Sequence, residues 1–288
     1  MKGPDFIIIG AMKSATSSLH VQLASHPGIV MSEPKEPNFF SDDSQYERGT
    51  DWYMSLFPEP DIGQLCGESS THYAKLPDYP ATVSRMKALL PDIKLIYVMR
   101  HPIERLVSHY IHQWTQNVIR CDINEALERY PELVNYSRYS YQVAPYVEAY
   151  GKASVLPVFF QAVKHQPQRE LERIARFIGY SRPVSWKEAL GAQNVSAQRL
   201  RRFRGYQLIV DSAAMVFVRR AVVPQSVRDI VKARLTMKQR PTLNDSNIAR
   251  LKSIFDEDLR TLAEWLDVEL NCENFNQVTL AESLDWTT

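Results

Sequence analysis

The segment Phe6-Ile7-Ile8-Ile9-Gly10 constrains the fold of this chain more than any other. An uncharged, largely β-branched run of this length fits a strand buried on both faces, as in the middle of a parallel sheet. It stops at a glycine, and residues 16–24 read as a helix with Leu19, Val21 and Leu23 available to a core. A strand that turns directly into a helix is the opening of a doubly wound α/β unit.

The rest of the chain repeats that alternation. Strands are expected at residues 65–68, 93–99 and 153–160, and the run Ile93-Lys94-Leu95-Ile96-Tyr97-Val98-Met99 is the clearest of them. Helices are expected at 51–57, 81–90, 102–114, 136–150, 169–178 and 247–266, with residues 31–43 as a loop. The part after residue 205 reads as mostly helical. No repeat, low-complexity stretch or linker divides the 288 residues, so one domain, 1–288, is expected.

Charge and cysteine usage exclude several classes. The formal net charge of +1 sets up no global field toward nucleic acid or membrane, so any anion site is local. Three widely spaced cysteines, Cys66, Cys121 and Cys272, give neither a disulfide framework nor zinc spacing and fit a reducing, cytoplasmic setting. No apolar run approaches the length of a membrane span, and the N-terminal apolar stretch is too short for a signal peptide.

Two segments suggest anion binding. Gly10 to Ser18 places Lys13 and the hydroxyls of Ser14, Thr16, Ser17 and Ser18 where a helix begins, and free N–H groups there attract phosphate. The second glycine and the spacing of a Walker A loop are missing. An ordinary strand–helix turn with a serine N-cap explains the same residues. In Val98-Met99-Arg100-His101-Pro102, Arg100 leaves the carboxyl end of the strongest strand, where open α/β sheets bind ligands. Arg105 and Ser108 follow on the next helix. A surface ion pair for Arg100 is the alternative. The cluster Arg199, Arg201, Arg202 and Arg204 reads as a solvated face, and Asn194-Val195-Ser196 is a glycosylation sequon without a signal peptide to make it relevant.

Taken together, these segments resemble the sulfotransferase family, in particular its bacterial members and the heparan sulfate branch. FIIIGAMKSATSSL resembles the 5′-phosphosulfate loop. Lys35-Glu36-Pro37-Asn38-Phe39-Phe40 resembles a segment common in bacterial members. YVMRHPIERLVSHY resembles the 3′-phosphate segment, and YVEAYGKASVLPVFF the late strand–helix unit. The resemblance implies a P-loop-like parallel sheet flanked by helices, with a helical C-terminal portion. It implies transfer of a sulfuryl group from 3′-phosphoadenosine 5′-phosphosulfate (PAPS) to an acceptor hydroxyl by in-line displacement, with adenosine 3′,5′-bisphosphate as by-product and no metal.

Residue by residue, the resemblance implies that Lys13 contacts the phosphosulfate and that the loop Ser14, Ala15, Thr16, Ser17 and Ser18 holds the 5′-phosphate. Arg100 and Ser108 would hold the 3′-phosphate. Glu36 matches the general base, and Lys238 and Arg240 fall where the heparan sulfate branch has a basic loop over the cofactor. His72, after the strand ending at Glu68, stays open as a second base, whereas His101 reads as structural. Where many members have Lys, His and an acidic pair, this chain has Ser69, Asn38 and Gln161-Ala162. The acceptor is a small-molecule, carbohydrate or lipid-linked hydroxyl. Two other functions fit parts of the pattern, namely a P-loop small-molecule kinase that recruits Glu68 to magnesium and a catalytically silent nucleotide-binding protein.

Overall fold

The computed structural model describes residues 3–59, 61–191, 237, 239–281 and 284–287. Five strands, β1 (Phe6–Gly10), β2 (Ile29–Met31), β3 (Leu65–Ser69), β4 (Lys94–Met99) and β5 (Val155–Phe159), form one sheet in the order β2-β3-β1-β4-β5. Every pairing is parallel. β1 is central, as its unbroken apolar run requires, and all five of its residues are buried.

The alternation of side chains divides the interior in two. Ile7 and Ile9 of β1, with Leu95, Tyr97 and Met99 of β4, face one apolar core. Phe6 and Ile8, with Ile96 and Val98, face the other. Helices cover both faces, which is what all-parallel sheets need. The second core is closed by α1 (Thr16–Ala24) and α10 (Pro167–Phe177). The first is closed chiefly by α5 (Pro102–Thr115), α8 (Tyr139–Tyr150) and α11 (Asp245–Leu266). Proline at the first helical turn starts α5 and α10, where a missing N–H costs nothing. The Asn244 side chain caps α11 by accepting from Asn247 N–H at 2.8 Å.

Several elements escape the sequence pattern. β2 has only three residues. The short helices α2 (Asp43–Tyr46), α6 (Ile123–Arg129) and α7 (Glu132–Asn135), with α9 (Phe160–His165) and α12 (Phe275–Ala281), are too brief to show helical periodicity. Helix α3 (Gly49–Ser55) begins two residues before the expected 51–57, and α4 (Thr82–Leu89) lies within 81–90. The expected helix 136–150 starts only at Tyr139. The proposed helical stretch 206–234, the arginine cluster and the sequon lie outside the described residues.

Candidate active site

Five loops leave the carboxyl edge of this sheet. The order places β1 between β3 and β4, so the chain first winds to one side of β1 and then to the other. The crevice at that reversal is where doubly wound sheets bind ligands. Lys13 follows β1, Glu36 follows β2, His72 follows β3 and Arg100 follows β4.

The loop after β1 is shaped by glycine and by two left-handed residues. A Cβ at Gly10 would stand 3.0 Å from the Ala74 Cβ and 3.2 Å from the Tyr97 ring. Lys13 and Ala15 have φ of 71° and 68°. Left-handed residues alternating along a turn bring backbone N–H groups toward one concavity, the geometry of an anion nest. The residue preceding α1 is Ala15, and no side chain caps that helix. The serine-capped turn is thereby excluded. Ser14 is fully buried, and its Oγ has no hydrogen-bond partner. Lys13 has a pKa below the ordinary lysine value because burial disfavours its charge and Arg100 repels it, with Glu36 opposing.

The loop after β2 is clamped onto the loop after β3. Glu36 N–H donates to Ser69 C=O at 3.0 Å. Asn38 N–H donates to Ser70 Oγ at 3.2 Å, and Phe40 N–H donates to the Tyr73 hydroxyl at 3.5 Å. Ser70 Oγ in turn donates to Glu68 Oε1 at 2.7 Å, and the Tyr53 hydroxyl donates to Glu68 Oε2. Phe39 stacks on Tyr53 with centroids 4.4 Å apart. Glu68 is fully buried, and burial raises its pKa against those hydroxyl bonds. Its oxygens are committed to the clamp, so the metal-binding role that a kinase would give it finds no support.

Glu36 is the exposed end of this construction. Its Oε1 pairs with Lys35 Nζ at 2.5 Å, and its Oε2 receives only a long contact, 3.4 Å, from Thr71 Oγ1. Burial raises its pKa, but Lys35, Lys75 and His72 together outweigh burial and leave it below the ordinary carboxylate value. It is therefore ionised at neutral pH. His72 lies in the 3₁₀ turn Thr71–Ala74 and stacks on Tyr79 with centroids 5.1 Å apart. Burial and then Lys75 lower its pKa to about 4, so the ring is neutral, and its Nδ1 has no partner.

Lys75 carries no sequence signal beyond following His72. It is 8% exposed, and burial lowers its pKa to about 8 against the pull of Glu36 and Asp78. Arg105 is fully buried on α5, held by Ser137 Oγ at 2.5 Å and Leu133 C=O at 2.9 Å, with Nη1 unpaired. It is a core residue behind the site.

Arg100 does make the ion pair foreseen as the alternative, with Glu104 Oε2 at 3.0 Å, one helical turn away. Its side chain is only 18% exposed and lies 4.7 Å from the Phe160 ring centroid. Ser108 stands one further turn along α5, partly exposed. His101 is structural as expected, with Nε2 against Cys272 C=O at 2.8 Å. Asp42 caps α2 and Asp43 pairs with Arg85 at 2.6 Å, so each serves the local fold. Arg240 is exposed in a segment tied through Thr242 C=O to Asn124 on α6, while Lys238 lies outside the described residues.

Residues 3–262 match the family model described as the sulfotransferase domain. The chain belongs to the sulfotransferase family. Sulfuryl transfer is thus favoured over both phosphoryl transfer and silent nucleotide binding. Among curated relatives, the human bifunctional heparan sulfate N-deacetylase/N-sulfotransferase 2 is 27% identical over 208 residues, covering 65% of this chain and 23% of the relative. The mouse enzyme numbered 4 in that series is 25% identical over 207 residues, with the same coverage. This chain thus matches about a quarter of the length of those relatives. Among solved structures, a sulfotransferase from Alicyclobacillus acidocaldarius superimposes with a TM-score of 0.65 at 22% identity, covering 94% of this chain and 98% of that one. A mouse sulfotransferase complexed with PAP superimposes with a TM-score of 0.51 at 17% identity, covering 90% and 86%.

Proposed function

We propose that this sulfotransferase takes its sulfuryl group from PAPS, transfers it to an acceptor hydroxyl and releases adenosine 3′,5′-bisphosphate, all within one domain, 1–288. One observation carries this reading. Lys13 sits at the start of a helix with no side-chain cap, under the influence of both Arg100 and Glu36. Two cations that repel each other, beside an uncapped N-terminus and a buried hydroxyl without a partner, suit an anion with more than one charged group.

The donor, when bound, supplies an electrophilic sulfur and a phosphate leaving group. Lys13, with N–H groups from the turn Ser14, Ala15, Thr16, Ser17 and Ser18, would hold the 5′ end and offset the negative charge that grows there during transfer. Arg100, in the turn between β4 and α5, and Ser108 on α5 would hold the 3′-phosphate. Lys238 and Arg240 are proposed, on the family resemblance alone, as the basic residues that cover the cofactor. Glu36 would accept the acceptor proton at Oε2, because Oε1 is occupied by Lys35. Neutral His72 is the second proton acceptor, and no step requires a metal.

The acceptor is proposed as a small-molecule, carbohydrate or lipid-linked hydroxyl. A carbohydrate is favoured because the curated relatives are named for heparan sulfate, though as N-sulfotransferases their names point to a nitrogen acceptor on that sugar and bear on the sugar alone, not on the hydroxyl. Among the described residues no helix is long and apolar enough to cross a membrane. The unpaired cysteines fit a cytoplasmic setting. The test is incubation of the purified protein with PAPS and a panel of hydroxyl acceptors in chelator, read by mass spectrometry. A sulfated product is expected. Phosphorylated product with ATP and magnesium, and none with PAPS, would establish the kinase instead.

A further inference from the structure

Arg100 is not held by Glu104 alone. Glu104 Oε2 accepts from both Nε and Nη2 of Arg100, at 3.2 and 3.0 Å. This engages one edge of the guanidinium and leaves Nη1 with the second Nη2 proton for another ligand. Glu104 Oε1 accepts from Asn276 Nδ2 at 3.2 Å, and Asn276 Oδ1 accepts from Gln161 Nε2 at 2.9 Å. Both bonds demand the same amide orientation. A flipped Asn276 would set its oxygen against the Glu104 carboxylate and its NH2 against the Gln161 donor.

The three residues of this relay come from separate places. Glu104 is on α5, Gln161 on α9, and Asn276 on α12, beyond the residues that match the family model. The segment before α12 is anchored to the same strand end. Cys272 C=O accepts from His101, and Phe275 is fully buried against His101, with centroids 5.9 Å apart.

We propose that Asn276, locked by Gln161, is a positioning residue that sets the Arg100 guanidinium for the 3′-phosphate through Glu104. A carboxylate at 161 cannot donate to Asn276 Oδ1, so the amide at 161 and the amide at 276 form one unit. The inference rests on the assignment of Arg100 to the 3′-phosphate.

The experiment is calorimetry of adenosine 3′,5′-bisphosphate and of AMP binding to wild type, Asn276→Ala, Gln161→Glu and Gln277→Ala. The last is an exposed neighbour on α12 and serves as the control. Loss of one hydrogen bond in the relay, felt by Arg100 only through Glu104, predicts roughly a three- to tenfold weaker affinity for the bisphosphate in the first two variants. AMP affinity should stay unchanged, as should both affinities in Gln277→Ala. Thermal melts of the ligand-free proteins check folding. Equal losses for both ligands would show a merely structural role and overturn the proposal, as would unchanged bisphosphate affinity. If the wild type binds both ligands equally, the 3′-phosphate assignment itself fails and the relay has no such purpose.

Discussion

Lys75 offers a sharp test because its burial has a calculable consequence. Its pKa falls from the ordinary lysine value of 10.5 to about 8 on folding, first through burial. At 1.36 kcal/mol per pH unit, holding the charged amine in this site costs about 3 kcal/mol relative to the unfolded chain. The unfolded state keeps its proton up to about pH 10.5, whereas the folded state releases it above about pH 8. In that window the unfolded state binds more protons, so stability rises with pH. Below pH 8 the whole cost is present. Lys75→Met, which keeps the length of the stem and removes the charge, should therefore stabilise the protein by about 3 kcal/mol at pH 7. That advantage should shrink steadily between pH 8 and 10.5. Urea unfolding of wild type and variant at pH 6.5, 8 and 9.5 measures it. A variant less stable than wild type at pH 7, or a difference that does not vary with pH, would refute the reasoning. A gain in stability with a loss of turnover would mark Lys75 as a charge kept for function.

Three further outcomes test the acceptor side. Glu36→Gln should lower turnover by roughly 10²–10⁴-fold, the usual range for a general base, while affinity for adenosine 3′,5′-bisphosphate stays near wild type. Lys35→Gln is its control and, by removing the ion pair, should move the acid limb of the pH–rate profile upward, toward the ordinary carboxylate pKa; an unmoved limb would show that Lys35 does not tune Glu36. Ser70→Ala should cut kcat severalfold with little change in donor KM, because it severs Asn38 N–H from Glu68, and Ser70→Thr should restore it; loss of donor binding instead would place Ser70 on the nucleotide side.

The sheet was legible because buried parallel strands tend to be continuous apolar runs, as β1, β5 and all of β4 after Lys94 are, whereas β3, with Glu68 and Ser69 in its second half, shows only a short apolar start. β2 was not, since three residues give no period. Lys13 and Arg100 were legible because they leave the ends of strands that the sequence shows, whereas Glu36 follows the unread β2 and was reached only through the family resemblance. Lys75 was hidden because a lysine reads as solvent-exposed until tertiary packing buries it. Glu104 shows the opposite case: its spacing from Arg100 is that of an i, i+4 ion pair and could have been read. Glu68 stayed open as a magnesium ligand for the rival kinase because sequence cannot show that Tyr53, fifteen residues away, already bonds to it. Asn276 lay in a helix too short to be seen.

The backbone itself separates the working loops from the scaffold. Among the described residues, six non-glycine positions have positive φ, and four of them, Lys13, Ala15, Glu36 and Asn38, fall in the two loops proposed for the donor and acceptor chemistry. Each left-handed non-glycine residue costs on the order of 1 kcal/mol and persists only where its surroundings fix it. At Glu36 and Asn38 the fixing contacts are visible in Ser69 C=O, Ser70 Oγ and the buried Glu68 behind them. At Lys13 and Ala15, Ser14 N–H donates to Ala11 C=O at 3.2 Å and Ala11 N–H to Val98 C=O at 2.8 Å, which ties the turn to β4. The strain at Glu36 is thus sustained by contacts that rest on the buried Glu68 carboxylate, and the strain at Lys13 by β4, which ends one residue before Arg100. Substitutions at Glu68 or Val98 would reach the chemistry only by releasing that backbone, and glycine at Ala15 would relieve the strain while leaving the N–H cradle in place.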